Sequence, residues 1–286
     1  MNYYGRIQNS IDFIELKLKE EIDLHEVAGR SFFSVTHFYR IFQAMVGDSV
    51  KEYIRKRKLS NAAVELLSTD RRLIDIAFDY RFESQEVFTR AFARTFGITP
   101  GRYRKQKKRL VLFEKANVKI KTLQNENTSI FMEPAIIFNK EFKIAGIREW
   151  VKPGNKSIAD LWNKFGLRRA EIKNAVNTEV TLGLSEYMPD ITDESEFIYC
   201  ACTEVSDFRD VPKGIITKTV PPSKYAVFTH RGPMAGLKDT FDFIYGIWLP
   251  ESGYEPAEHD TIEWYDSRSG DFSSPGYEFD IYIPLK

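Results

Sequence analysis

The sequence has few of the residues that organise small secreted or metal-binding proteins. Its 286 residues include two cysteines, Cys200 and Cys202, and four histidines. A spacing of one residue between the cysteines suits neither a disulfide framework nor a zinc site, which needs four ligands at characteristic intervals. Strand alternation instead places both on one face as small packing residues. His230 and His259 have no ligand spacing and are interpreted as surface or strand-end residues, so no metal site is expected.

Long apolar runs and targeting segments are also lacking. No window reaches the roughly 18 continuous apolar residues of a membrane span, and Met1 to Gly5 lacks the basic and apolar regions of a secretory signal. We therefore expect a reducing, cytoplasmic protein without a membrane partner. With 43% apolar residues the chain can still bury a sizeable core. Its length suits two domains.

The net charge is zero, but the charges are unevenly distributed. Residues 1–108 contain 20 Lys and Arg against 14 Asp and Glu, whereas residues 109–286 contain 21 against 27. A basic half indicates a polyanionic partner, and an acidic half repels one. Such an imbalance is ordinary on its own, so it points to nucleic acid only if a motif supports it.

The first half has the periodicity of consecutive helices. Ser34 and Ser84 are suited to cap two of them, each with an aromatic stripe, and Gly47 and Gly97 are suited to end the same two. The other predicted helices begin near Asn9 or Ser10, Asp23 or Leu24, Ser49 and Arg71.

A basic run and a polar segment follow the helix stop at Gly97 and Pro100, so we place a linker at 109–128. Beyond it, β-branched and aromatic residues interrupted by Gly, Pro, Asn and Asp indicate strands, with helices at about 157–174 and 234–248. Glu-Phe segments 82 residues apart, and strands before a helix at the same offset, indicate an internal repeat. Each half is predicted to run strand, helix, strand, strand.

Two predicted helices of the first half repeat one another at an offset of 50 residues. Ser34-Val-Thr-His-Phe-Tyr-Arg-Ile-Phe and Ser84-Gln-Glu-Val-Phe-Thr-Arg-Ala-Phe share their Ser, Phe, Arg and Phe positions. If the apolar stripes pack inward, side chains that suit base edges turn outward. Two such helices, joined by one linking helix, can enter successive major grooves about 34 Å apart. The outward residues are Thr36, Tyr39, Arg40, Gln43, Gln85, Glu86, Thr89 and Arg90.

These segments resemble the DNA-binding domain of the AraC/XylS family, in its Rob-type branch. The resemblance implies an all-α double helix-turn-helix at residues 1–108, with base contacts among the outward residues. The family usually has Gly before the aromatic that precedes each recognition helix, where this sequence has Phe32 and Arg81. If either turn is left-handed, the non-Gly residue costs about 1 kcal/mol. The matching segments are Tyr53-Ile-Arg-Lys-Arg-Lys-Leu, Ile74-Asp-Ile-Ala-Phe, Phe82-Glu-Ser-Gln, Phe88-Thr-Arg-Ala-Phe and Phe96-Gly-Ile-Thr-Pro-Gly-Arg-Tyr-Arg.

The second half has no catalytic signature such as HExxH, GxSxG or a Gly-rich phosphate loop, and no cofactor is expected. In Ile262-Glu-Trp-Tyr, strand alternation puts Glu263 and Tyr265 on one face and Trp264 on the other. Alternation leaves two interpretations open. Glu263 faces an aromatic cavity, where it suits a hydrophobic cation, or it is solvated on an outer face.

Residues 129–286 resemble the GyrI-like effector-binding domains, an α+β fold of two βαββ halves around a cleft. The resemblance implies that Glu263 lies in the ligand cleft, which favours the first interpretation and places Tyr265 beside it. Further candidates for the aromatic lining are Trp162, Tyr187 and Trp248. The matching segments are Phe142-Lys-Ile-Ala-Gly-Ile-Arg, Tyr225-Ala-Val-Phe-Thr-His-Arg-Gly, Trp248-Leu-Pro-Glu-Ser-Gly-Tyr, Ile262-Glu-Trp-Tyr and Ile281-Tyr-Ile-Pro.

Together the two resemblances predict a transcription regulator. Its expected partners are double-stranded promoter DNA, a small amphipathic effector that is a candidate cation, and RNA polymerase. Two alternatives remain for the second domain: a hydrolase that uses Glu263 as a general base, and a domain that mediates only protein contacts. Because the sequence reveals no nucleophile or orienting partner for Glu263, a sensor without enzymatic activity is the preferred interpretation.

Overall fold

The computed structural model describes residues 2–118, 132–152, 157–192 and 195–286. The chain divides into two compact units, Met1–Asn127 and Thr128–Lys286. The described part of the first unit is helical and that of the second is α+β, as predicted. The predicted linker at 109–128 lies partly outside the described residues. Within them, no helix is long and apolar enough to cross a membrane.

The first unit follows the predicted helix order, with two differences at helix ends. The side chain of Asn2, rather than Asn9 or Ser10, caps the first helix by accepting from the backbone N–H of Gly5 at 3.0 Å. Pro100 opens a further helix instead of lying beyond the last one, because its missing N–H is tolerated at the first helical position. The helices are α1 (Tyr3–Leu16), α2 (Leu24–Gly29), α3 (Val35–Val46), α4 (Val50–Ser68), α5 (Leu73–Asp79), α6 (Gln85–Phe96) and α7 (Pro100–Gln106).

The predicted caps of α3 and α6 are confirmed. The hydroxyls of Ser34 and Ser84 accept from backbone N–H groups three residues on, and Gly47 and Gly97 end the helices in the left-handed conformation. The apolar stripes pack inward on both sides of α4. Each fully buried Phe of these stripes contributes about 2–3 kcal/mol by leaving water. They include Phe38, Phe42, Phe88 and Phe92.

Residues 110–117, which we call the strap, pack along the helical unit although they form no regular structure. The backbone N–H of Phe113 donates to Ser60 Oγ at 3.0 Å, and that of Ala116 donates to Tyr53 Oη at 3.3 Å. Arg57 donates to the Phe113 carbonyl and pairs with Glu15 at 2.7 Å. The strap therefore joins α1 to α4 through side chains that bind its backbone.

The second unit contains one eight-stranded antiparallel sheet in the order β1-β6-β8-β7-β3-β4-β2-β5. Corresponding strands of the two halves start 80 or 81 residues apart, which supports the predicted repeat. Each half has one more strand than predicted. The additional strands are β1 and β5, and each of them pairs with a strand of the other half. The strands are β1 (Ala135–Asn139), β2 (Phe142–Val151), β3 (Thr181–Ser185), β4 (Phe197–Val205), β5 (Ile216–Val220), β6 (Ser223–Arg231), β7 (Thr261–Tyr265) and β8 (Glu278–Leu285).

Chain connectivity requires this sheet to curl. In a flat sheet, β1 and β2 would lie six strand spacings apart, about 29 Å. Only two residues separate Asn139 from Phe142, and that stretch spans at most about 11 Å. One face therefore becomes an interior, where Cys200 and Cys202 are buried with Leu182 as small packing residues, as predicted.

The outer face of the sheet carries the helices. Helix α8 (Ser157–Arg168) places Phe165 against β2 and β4, and ends earlier than predicted, in a short 3-10 turn. The second helical segment is composite: α9 (Leu237–Phe243), a π turn at Ile244–Trp248 and α10 (Leu249–Ser252). Pro250 has no N–H to donate back along the helix, which explains the wider turn before it. The helix therefore continues beyond the predicted end near residue 248.

Candidate functional site

Helix α3, the first predicted recognition helix, only partly matches its predicted orientation. Arg40 and Gln43 are partly exposed, but Thr36 and Tyr39 are buried, contrary to the expected outward position. The prediction assigned every position outside the apolar stripe to solvent, whereas α3 is buried beyond that stripe. The Tyr39 ring meets the edge of Phe38 with centroids 5.7 Å apart. The role of all four residues in DNA contact stays a prediction.

The second recognition helix has the predicted orientation. Glu86 and Arg90 are exposed, and Gln85 and Thr89 are partly exposed. A hydrogen bond from Ser84, followed by smaller contributions that include the charge of Arg90, lowers the pKa of the Glu86 carboxyl. This helix therefore presents a carboxylate and a guanidinium one turn apart, together with an amide and a hydroxyl that suit base edges.

Both turns before the predicted recognition helices contain a left-handed residue, at the two positions where the resemblance led us to expect Gly. Phe32 has φ of 57° and Arg81 has φ of 61°. Each costs about 1–2 kcal/mol relative to an unstrained backbone. At the first turn, the buried Arg6 guanidinium donates to the carbonyls of Ser31 and Phe32, both at 2.6 Å. At the second, Arg81 Nε donates to the Lys19 carbonyl at 3.2 Å.

The second unit buries a carboxylate at the middle of its sheet. Glu263 is the central residue of β7 and lies directly opposite Gly183 of β3. The strands β3 and β7 are the corresponding strands of the two halves, and their starts are 80 residues apart, so Gly183 is the counterpart of Glu263 in the first half. A single carboxylate, 8% exposed, thus occupies the junction between the halves.

Two tyrosine hydroxyls donate to the same oxygen of Glu263. Tyr265 Oη lies 2.8 Å from Oε2, and Tyr199 Oη donates to that atom as well. Burial raises the pKa of the Glu263 carboxyl, although both hydrogen bonds lower it. Burial, followed by the charge of Glu263, also raises the pKa of both tyrosines well above the ordinary value. The hydroxyls are therefore protonated donors at neutral pH.

Aromatic rings surround this carboxylate. The partly buried Trp162 of α8 meets the Tyr265 ring edge-on with centroids 5.2 Å apart, and Tyr199 at 6.5 Å. Phe279 of β8 stacks on Tyr265 at 4.8 Å. The arrangement combines one negative group with ring faces and edges, which is the chemistry that suits an organic cation.

Gly183 provides the space for this cluster. A Cβ atom there would lie 2.0 Å from Tyr199 Oη and 2.7 Å from Glu263 Oε2. Both distances are far below van der Waals contact, so any side chain would displace the hydrogen-bonded groups. The asymmetry between the halves, Glu263 in one and Gly183 in the other, is therefore required by the packing.

The structure brings together three of the five predicted ligand-binding residues: Glu263, Tyr265 and Trp162. Trp248 is not among the aromatic contacts of this cluster in the described part of the chain. Tyr187 donates its backbone N–H to Asp260, and Trp248 packs against other rings. The fit of all five to a ligand stays a prediction.

Sequence reasoning missed Tyr199. Strand alternation puts Tyr199 on the face of its strand opposite Cys200 and Cys202. No sequence signal gave the β4–β3–β7 register that carries it to Glu263.

No group of three metal-ligating side chains occurs among the described residues. His230 is at a strand end, as predicted, but it is buried rather than at the surface, because it lies near the end of β6 and contacts α9. Its Nδ1 lies 2.7 Å from Thr240 Oγ1. Burial lowers its pKa, so its imidazole is neutral at pH 7. His230 is thus a packed, hydrogen-bonded residue of the core.

Comparison with known proteins assigns both units. A model of the GyrI-like small molecule binding domain matches residues 132–286, and a helix-turn-helix domain model matches residues 27–106. The chain is 26% identical to transcriptional regulator Rob of Salmonella typhimurium over 285 residues, covering 95% of each. It is 50% identical over 109 residues to the HTH-type regulator YbfP of Bacillus subtilis, covering 38% of this chain and 37% of YbfP.

Among solved structures, that of SAV2435 bound to tetraphenylphosphonium aligns with a TM-score of 0.45 at 21% identity, covering 54% of this chain and 94% of SAV2435. The resemblances inferred from the sequence are confirmed by the two family models and by the relatives. The chain belongs to the GyrI-like small molecule binding domain family and, with the AraC-type helix-turn-helix domain that precedes it, is a DNA-binding transcription regulator of the Rob type.

Proposed function

We propose that this regulator responds to an amphipathic organic cation held at Glu263. The observation that carries the proposal is the buried carboxylate, which accepts two tyrosine hydrogen bonds within an aromatic cluster. A charge in such a place is unfavourable unless it is neutralised or paired. A cation with apolar substituents would supply the missing charge and pack against Trp162 and Tyr265.

The same observation argues against catalysis by Glu263. A hydrolase would need a nucleophile or an activated water beside the carboxylate, oriented by a further group. The groups that contact it are Tyr199 and Tyr265, whose raised pKa values keep them protonated. Hydrogen-bonded donors of this kind fix the carboxylate as a binding group. Turnover of an electrophilic substrate by the protein, lost in Glu263→Gln, would support the hydrolase instead.

A pair of ligands with the same shape and opposite charge tests the proposed effector class. Tetraphenylphosphonium and tetraphenylborate differ in the sign of their charge and have nearly the same apolar surface. We expect the cation to raise the melting temperature of the protein and the anion to leave it unchanged. Equal stabilisation by both, or stabilisation only by the anion, would contradict a carboxylate-centred site.

We propose further that DNA is read by the exposed residues of α3 and α6. Arg40→Ala and Arg90→Ala are each expected to lose about 1–3 kcal/mol of discrimination at one base position. The measurement is binding to duplexes selected from random sequence by the wild-type protein. Unchanged sequence preference in both variants would refute the assignment. Effector occupancy would then alter how the DNA-bound regulator engages RNA polymerase.

A further inference from the structure

A groove with a volume of about 480 Å³ lies between the two helix-turn-helices. One wall is α4, a second is the segment before α2, and a third is the turn that precedes α6. Of its charged residues, Arg55 pairs with Glu52 and Glu20 pairs with Lys17. The lining includes four cations and two carboxylates: Lys51, Arg55, Lys58, Arg81, Glu20 and Glu21.

Two of these cations, Lys58 and Arg81, line the same groove and are close enough for the charge of one to act on the other. Lys58 is partly buried, and both burial and the nearby charge of Arg81 lower the pKa of its amine. In the part of the chain that the structure describes, neither residue forms a salt bridge, and the Arg81 guanidinium donates to a backbone carbonyl of Lys19. Like charges in a partly desolvated groove repel each other, so an anion placed between them would be stabilised by both.

The backbone of Arg81 strengthens this observation. Its φ of 61° is a conformation that Gly adopts without cost, yet the position holds a charged residue. Residues kept in a strained conformation concentrate at sites where the side chain or the strain has a function. Here the exposed Arg81 lines the groove, where a Gly would supply no charged side chain.

The place of the groove in the domain indicates which anion it meets. Arg81 is four residues before Gln85, so its Cα lies within about 15 Å of the end of α6 that is expected to read bases. Helix α4, which carries Lys58, begins four residues after α3 ends. A duplex that places two successive major grooves on α3 and α6 carries its sugar-phosphate backbone across the region between them.

We propose that Lys58 and Arg81 together clamp one phosphate of the DNA backbone between the two major grooves. The proposal rests on DNA binding by this domain. An ammonium and a guanidinium can donate several charge-assisted hydrogen bonds to one phosphate. Such a contact sets the register of the protein on the duplex and contributes affinity without sequence preference. It would also offset the repulsion between the two cations.

The salt dependence of DNA binding tests the clamp with the full-length chain. The variants are Lys58→Gln, Arg81→Gln and the double variant, with Lys115→Gln as a control that removes one exposed cation of the strap. Arg81→Gln removes the charge and retains a side chain at the left-handed position. The probe is a duplex selected from random sequence by the wild-type protein, and its dissociation constant is measured by anisotropy over a range of NaCl concentrations.

Loss of one phosphate contact lowers the slope of log K against log salt by about 0.9. We expect the double variant to lose about one unit of slope and about 10-fold in affinity. Lys58 and Arg81 are proposed to contact the same phosphate. The change in slope for the double variant should therefore equal the loss of one phosphate contact, not of two. A slope for the double variant equal to that of Lys115→Gln would overturn the proposal.

Neutral methylphosphonate groups, introduced one at a time between the two half-sites, locate the phosphate. We expect the wild-type protein to lose affinity at one position at which the double variant loses nothing further. Identical losses in both proteins would refute the clamp. Arg90→Ala, measured in parallel, separates this outcome from failure of the recognition helices. If Arg90→Ala relaxes the base preference while the double variant keeps the wild-type slope, base reading by α6 is supported and the clamp is refuted.

Discussion

Gly183→Ala is expected to disrupt the carboxylate cluster through a single methyl group. The added Cβ would lie 2.0 Å from Tyr199 Oη, 2.8 Å from Tyr199 Cζ and 2.7 Å from Glu263 Oε2. Ordinary contact requires more than about 3.4 Å, so the tyrosine must move by more than an ångström and its hydrogen bond to Glu263 is lost. Overpacking costs about 1–3 kcal/mol and a hydrogen bond to a charged group about 1.5–3 kcal/mol. The expected loss is therefore about 2.5–6 kcal/mol in the free energy of unfolding of the second unit.

Urea unfolding of the full chain, followed by tryptophan fluorescence, measures this loss. Gly166→Ala is the matched control, because Gly166 lies on the same side of the sheet in α8 and a Cβ there meets nothing within 4 Å. The control should be neutral or stabilising by up to about 1 kcal/mol. A Gly183→Ala protein within about 0.5 kcal/mol of wild type would refute the close packing of Gly183, Tyr199 and Glu263.

Three further predictions concern strain, pH and the strap. Phe32→Gly should stabilise the first unit by about 1 kcal/mol in urea unfolding, whereas Phe32→Ala, which keeps the Cβ, should not; equal effects would argue against backbone strain. Because the folded pKa of Glu263 is raised, the folded state binds more protons, so ligand-free stability should fall as pH rises from about 4.3 through the folded pKa. Glu263→Gln should show a smaller fall than wild type, because the Glu204 carboxyl, whose pKa is also raised by burial, remains; a pH profile identical to that of wild type would contradict the raised pKa of Glu263. Arg57→Ala removes the cation that pairs with Glu15, which keeps the hydrogen bond from Tyr53, and should destabilise the first unit by about 3 kcal/mol. A loss below about 1 kcal/mol would show that the strap contributes little to the stability of this unit.

Local signals accounted for much of the fold. The Ser34 and Ser84 caps, and the Gly47 and Gly97 stops, act through hydrogen bonds and backbone angles within a few residues, so the sequence alone located the helices α3 and α6. Strand alternation likewise placed Glu263 and Tyr265 on one face. Each of these features depends on contacts between residues close in sequence.

Contacts between distant segments could not be predicted in the same way. Tyr199 reaches Glu263 through the register of three strands, and no turn between β4 and β7 fixes that register. The backbone of the strap is held by side chains of the distant helix α4, and no local signal in its own sequence indicates those contacts. The burial of Tyr39 depends on packing at the flank of α3, which the apolar stripe does not reveal.

Calorimetric titration with tetraphenylphosphonium tests the central claim most directly. The comparison is wild type, Glu263→Gln and Glu204→Gln; Glu204 is a second carboxyl of the same sheet whose pKa is raised by burial. We predict that Glu263→Gln weakens binding by about 10- to 100-fold, or about 1.4–2.7 kcal/mol, and that Glu204→Gln binds like wild type. Wild-type affinity in Glu263→Gln, or an equal loss in both variants, would contradict a regulator that holds its effector at Glu263.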